Sequence, residues 1–134
     1  MKTVKFVCKD NIQQEFAAAV RKNVNNYFKE KGISTKGNWS MKLKTVAMLS
    51  AYIAPFVLLL TVPMHIWTII PLLVLMGIGM AGIGMSVMHD AAHGSYSHKQ
   101  WLNNLLSSTM YILGSNTFNW KIQHNIFHHA YSNV

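Results

Sequence analysis

Cysteine and acidic side chains are both scarce in this chain. Cys8 is the only cysteine among 134 residues, so no disulfide can close within the chain and thiolate zinc sites are excluded. Cys8 itself reads as a small apolar residue. Four Asp and Glu stand against twelve Lys and Arg, and the positive excess is unevenly placed. Lys2, Lys5, Lys9, Arg21, Lys22, Lys29, Lys31, Lys36, Lys42 and Lys44 all precede the first long apolar run; only Lys99 and Lys121 follow, and none lies between the two runs. These basic residues lack an interleaved stacking platform, so no nucleic-acid partner is expected. A cleavable secretory signal is missing too, because the first apolar run starts after a long polar lead and a second follows at once.

Apolar residues are abundant instead, at 51% of the chain. From Thr45 to Val62 the sequence is nearly all apolar, with Lys42 and Lys44 as anchors, and about 18 residues at 1.5 Å rise cover most of a hydrocarbon core. Pro55 is a kink candidate in this span. Pro63-Met64-His65 makes a short return, and Ile66 to Met88 carries the chain back. The charge asymmetry follows the positive-inside pattern and puts the N-terminus and the segment after Met88 in the cytoplasm. An all-α membrane protein follows: two transmembrane helices, an N-terminal amphipathic helix and interfacial helices beyond the hairpin.

The polar lead begins with a weakly alternating arm at Thr3 to Cys8. Asp10 and Gln13 then suggest a capping box, and Ile12, Phe16, Val20, Val24 and Phe28 recur every fourth residue up to Gly32, the pattern of an amphipathic helix. It can lie on anionic lipid or pack on protein. Ser34 to Ser40 reads as a linker. On the second span Gly77, Gly79, Gly82 and Gly84 leave little side-chain bulk, for close helix packing or a groove for an acyl chain. Trp101 to Leu113 is too short to span. Its Asn103, Asn104, Ser107 and Ser108 are expected opposite Leu102, Leu105, Leu106 and Met110, on a helix lying flat in the interface.

Five of the seven histidines fall into two clusters, His89-x3-His93 and His124-x3-His128-His129. On a helix, residues i and i+4 share a face with Cβ atoms about 5–6 Å apart, so each cluster can present two imidazoles to one metal ion. Imidazole serves Zn, Cu, Fe or Ni, and the ligand type alone does not choose. His65 and His98 read as satisfied polar side chains. Asp90 and Asn125, one residue past the first His of each cluster, read either as partners of a histidine N–H or as local caps. Trp120 reads as an interfacial aromatic without a catalytic role.

The stretches Met88-His89-Asp90-Ala91-Ala92-His93-Gly94-Ser95-Tyr96-Ser97 and Asn119-Trp120-Lys121-Ile122-Gln123-His124-Asn125-Ile126-Phe127-His128-His129-Ala130-Tyr131-Ser132-Asn133 resemble the first two histidine boxes of the membrane fatty acid desaturases. Within that family they are most similar to bacterial acyl-CoA or acyl-lipid desaturases of the linoleoyl-CoA desaturase type. The resemblance extends over essentially the whole chain, including Asn26-Tyr27-Phe28-Lys29-Glu30. It implies a non-haem di-iron centre that uses O2 to place a cis double bond in a fatty acyl chain, with His89, His93, His124, His128 and His129 as iron ligands. It also implies an electron donor of cytochrome b5 or ferredoxin type and a bacterial inner-membrane location. The family's third box, (H/Q)-x2-HH, comes after two further transmembrane helices, so residues 1–134 are expected to form the N-terminal portion of a single desaturase domain: a cytoplasmic lead at 1–44, a hairpin at 45–88 and the box region at 89–134. Two rival readings are a membrane hydroxylase of the alkane, sterol or carotenoid type, and a two-helix metal-binding membrane protein without turnover.

Overall fold

A computed structural model describes residues 10–128, apart from the side chains of Asn125 and Ile126. The arm at Thr3 to Cys8 and His129 lie outside the described residues. Helices account for the regular structure, with no strand among the described residues. The chain forms two compact units, one of residues 36–120 and one of Met1–Thr35 with Lys121–Val134.

In the second of these, α1 runs from Asn11 to Lys31. Asp10 caps it, its Oδ1 accepting from Ile12 N at 3.0 Å, and Gly32 ends it at φ +61°, a left-handed conformation that glycine adopts without a Cβ clash. None of its residues is buried. Ile12, Phe16, Val20 and Val24 of the expected apolar stripe are all exposed.

The unit of residues 36–120 is a helical hairpin closed at one end by the first histidine box. Helix α2 (Trp39–Thr61) starts six residues ahead of the apolar run, because Asn38 accepts from Met41 N through Oδ1 at 3.0 Å and so sets the N-terminus. It continues through Pro55. His65 caps α3 (Ile66–Gly82), its Nδ1 facing Trp67 N at 3.4 Å. Helix α3 passes into a π-helical turn at Ile83–Met88 and then into the short α4 at His89–Ala92, 27 helical residues in all. Both long helices have the length and composition to cross a membrane. Ile53, Phe56, Val57, Leu60, Ile70, Leu73, Val74 and Ile78 are exposed along them, an arrangement suited to lipid and costly in water. The protein is an all-α membrane protein.

Two glycines let the helices meet. A Cβ on Gly79 would lie 2.6 Å from Tyr52 N and 2.8 Å from the Ala51 carbonyl carbon, and one on Gly82 would overlap the Met48 side chain. Close packing is therefore the role of this pair, whereas Gly77 meets nothing within 4 Å. The π turn then keeps the buried face aligned. A four-residue stripe on an α-helix drifts by about 40° per step; the wider turn takes up that drift, and Gly79, Ile83, Val87 and Ala91 all stay buried.

Beyond the box, α5 (Gln100–Ser107) and a 3-10 turn at Ser108–Tyr111 fold back on the hairpin end. Val87, Ala91, Tyr96 and Leu106 form the core there, with Met41, Met48 and Leu102 against it. The expected division of faces on this segment forms only in part: Leu106 and Met110 are buried and Asn104 is exposed, but two polar residues go inside and Leu105 outside. Asn103 and Ser107 are 3% and 2% exposed, while Trp101 and Leu105 are 62% and 57% exposed. The polar residues are buried because they have backbone partners: Asn103 donates to Ser97 O at 2.8 Å and accepts from Ser97 N at 2.9 Å, and Ser107 Oγ donates to Asn104 O at 3.0 Å.

Candidate metal centre

His89 opens α4 directly after the π turn and His93 closes it. The His93 N–H bonds to His89 O at 3.1 Å, so the helical turn that spaces the imidazoles is itself hydrogen-bonded. Their ring centroids are 4.6 Å apart and their ligand nitrogens lie within 4.8 Å. Two nitrogens on one ion at about 2.1 Å each would sit roughly 3–3.5 Å apart, within reach of small side-chain rotations. Asp90 Oδ1 is 3.5 Å from His89 Nδ1, the outer limit of a hydrogen bond. A carboxylate there favours the Nδ1–H tautomer and leaves Nε2 to a metal. Asp90 therefore partners a histidine; its backbone carbonyl also accepts from Ser95 N and Ser95 Oγ at 3.0 and 2.7 Å.

The loop after His93 is tied to the start of α2. Gly94 turns the chain at φ +68°. Its carbonyl accepts from Lys36 Nζ at 2.8 Å, Tyr96 O accepts from Gly37 N at 3.1 Å, and Tyr96 OH donates to Thr45 Oγ1 at 3.0 Å. The first box thus sits at the hairpin end where α2 begins, as two crossings require. Lys36 and Tyr96 were not legible as box supports, since their partners are 58 and 51 residues away.

Trp120 is the residue whose sequence reading needs correction. It lies in α6 (Thr117–Lys121), and its ring stands edge-on to His89 at 5.7 Å and to His93 at 6.0 Å. It is not merely an interfacial aromatic. The available signal was its place four residues before His124, one helical turn from a histidine of the second cluster.

The second box lies on a π-helical stretch, Ile122–His128. The His124 and His128 rings are 5.2 Å apart and nearly parallel, at 26°. His129 and the Asn125 side chain fall outside the described residues. His65 serves as a helix cap and His98 is exposed in the loop before α5. The histidine pairs, neutral nitrogen donors one helical turn apart, suit a borderline transition metal.

The family model described as fatty acid desaturase matches residues 65–134. The chain belongs to the fatty acid desaturase family. This desaturase-family chain is 31% identical over 119 residues to the sn-1 linoleoyl-lipid 6-desaturase of Arthrospira platensis, covering 89% of this chain and 32% of that protein. It is 29% identical to the enzyme of the same name from Synechocystis sp., over 89% of this chain and 33% of that protein. With the acyl-lipid (8-3)-desaturase of Physcomitrium patens it shares 28% identity over 93% of its own length and 26% of the other's. The chain therefore spans about a third or less of these relatives. No solved structure matches it.

Proposed function

We propose that this chain supplies the first two histidine boxes of an O2-dependent di-iron fatty acid desaturase, with His89, His93, His124, His128 and His129 as ligands. The observation that carries the reading is the hairpin end: His89 and His93 face each other there, and Trp120, four residues before His124, stands against both. Trp120 belongs to the stretch that resembles the second box. Bound iron would supply the oxidising power from O2 to remove two hydrogens from an unactivated methylene pair, chemistry beyond acid–base side chains. The protein's part is to hold the imidazoles, and Asp90 to orient His89. Two electrons passed singly by a donor of cytochrome b5 or ferredoxin type and two protons taken from water, together with the two hydrogens removed from the methylene pair, would complete the reduction of O2 to two waters. Relatives named as acyl-lipid desaturases favour an acyl-lipid over an acyl-CoA. Cyanobacterial relatives suit a bacterial inner membrane, and the basic lead favours the N-terminus and both boxes on its cytoplasmic side.

The test is a chimera in which this chain replaces the matching third of the Arthrospira platensis relative. Gas chromatography of total fatty acids should show new unsaturated product, lost with iron in the His93→Ala chimera. A chimera that inserts and binds iron yet yields only hydroxylated acyl chains would support the hydroxylase reading instead. One that binds iron and yields neither product would support the non-enzymatic one.

A further inference from the structure

We propose that Trp120 is a positioning residue that sets the orientation of both imidazoles of the first box. Resting on the metal-centre reading above, the proposal adds a role for an aromatic side chain that ligates nothing. Three rings meet at this point: His89 and His93 at 4.6 Å and 68°, and Trp120 at 5.7 Å and 80° to one and 6.0 Å and 70° to the other. Edge-to-face arrangements at such separations are attractive, because the electropositive edge of one ring meets the electronegative face of the next. Each imidazole also has two soft torsions about its Cβ, and both stand at the surface: the His89 side chain is 35% exposed and His93 is exposed. Backbone hydrogen bonds space these two residues without choosing their rotamers. Asp90 touches only His89, at the limit of bonding distance. Trp120 meets both rings.

The turn that carries the indole is itself fixed. Asn116 Oδ1 accepts from Phe118 N at 2.8 Å and Asn119 N at 3.4 Å, opening α6, and Trp120 N bonds to Asn116 O at 3.0 Å. Thr117, buried, donates to Ser107 O at 3.1 Å and pins that turn to α5. Asn103 in turn locks α5 to the loop leaving His93 through both of its bonds to Ser97. A closed circuit thus runs from His93 through Ser97, Asn103, Ser107 and Thr117 back to Trp120. A residue placed by such a circuit can constrain two exposed ligands before any metal arrives.

Two measurements on the purified chain in lipid nanodiscs test this. The first needs no metal. In the 13C-histidine-labelled chain, Trp120→Ala should move the His89 and His93 imidazole resonances through loss of the indole ring current, while Trp67→Phe at the opposite hairpin end moves neither. Unmoved resonances in Trp120→Ala would overturn the contact. The second is Co(II) titration. Trp120→Ala should weaken binding about tenfold, the low end of what loss of a residue supporting a metal ligand costs, and Trp120→Phe should restore most of that loss. Wild-type affinity in Trp120→Ala overturns the positioning role and leaves the metal centre standing. Absence of saturable Co(II) binding by the wild-type chain overturns the metal-centre reading itself, and this proposal with it.

Discussion

Asn103 shows how a polar side chain can join the buried face of a helix. Placed by composition alone, an asparagine belongs on the wet face; here both ends of its amide bond Ser97, and it is 3% exposed. Its replacement by Leu leaves the Ser97 N–H and carbonyl without those partners, so about 2–3 kcal/mol of stability should be lost. Denaturant unfolding would measure this, with faster proteolysis between His93 and Lys99 as the local sign. The ligand set makes a different prediction at this scale. His93→Ala and His128→Ala should each remove metal binding while leaving the helical content by circular dichroism unchanged. Retention of wild-type affinity by either variant would take that residue out of the site.

At the scale of elements, the α2–α3 pair depends on backbone approach at one glycine. Since a Cβ on Gly79 would meet main-chain atoms of α2 at 2.6 and 2.8 Å, no side-chain rotation can relieve Gly79→Ala, and the helices must part. About 1–3 kcal/mol of hairpin stability should go with it. Gly77→Ala is the control. Nothing lies within 4 Å of that position, and removing a helical glycine gains up to about 1 kcal/mol. Steric trapping or SDS-resistance of the two variants should therefore move in opposite directions. Equal effects would mean that the helices do not meet through Gly79. The π turn at Ile83–Met88 was not legible from the apolar run, which has the same composition whether it winds as α or π. Its cause is tertiary: the stripe Gly79, Ile83, Val87 and Ala91 must stay buried first against α2 and then against α5.

For the whole molecule, the decisive question is which side of the membrane each segment occupies. The proposed orientation, with both hairpin ends in the cytoplasm, rests on ten basic residues ahead of Thr45 and none in the return at 62–65; the bonds from Lys36 to Gly94 and Gly37 to Tyr96 join those two ends. Cysteines introduced near Lys36 and Lys99, in a Cys8→Ser background, should be labelled by an impermeant reagent only from the cytoplasmic face. One at Met64 should be labelled only from outside. Opposite labelling at Lys36 and Lys99 would rule out a shared site. On the proposed di-iron reading, the chain expressed as it stands should insert but form no unsaturated product, because five imidazoles would not fill the coordination of two iron ions. Gas chromatography showing new product from the chain alone would contradict that ligand count.

Periodicity, charge placement and histidine spacing determined what the chain is made of: two apolar spans, a basic lead, a capped helix ending at Gly32, and paired imidazoles one turn apart. Each of these depends on neighbours within a few residues, or on the partition of whole segments between lipid and water, and both are read along the chain. The tertiary structure alone decided which polar side chains go inside, which glycines are contacts, where α3 widens into a π turn, and that Trp120 faces the first box. Those outcomes rest on partners 6 to 34 residues away, which only the tertiary fold brings together.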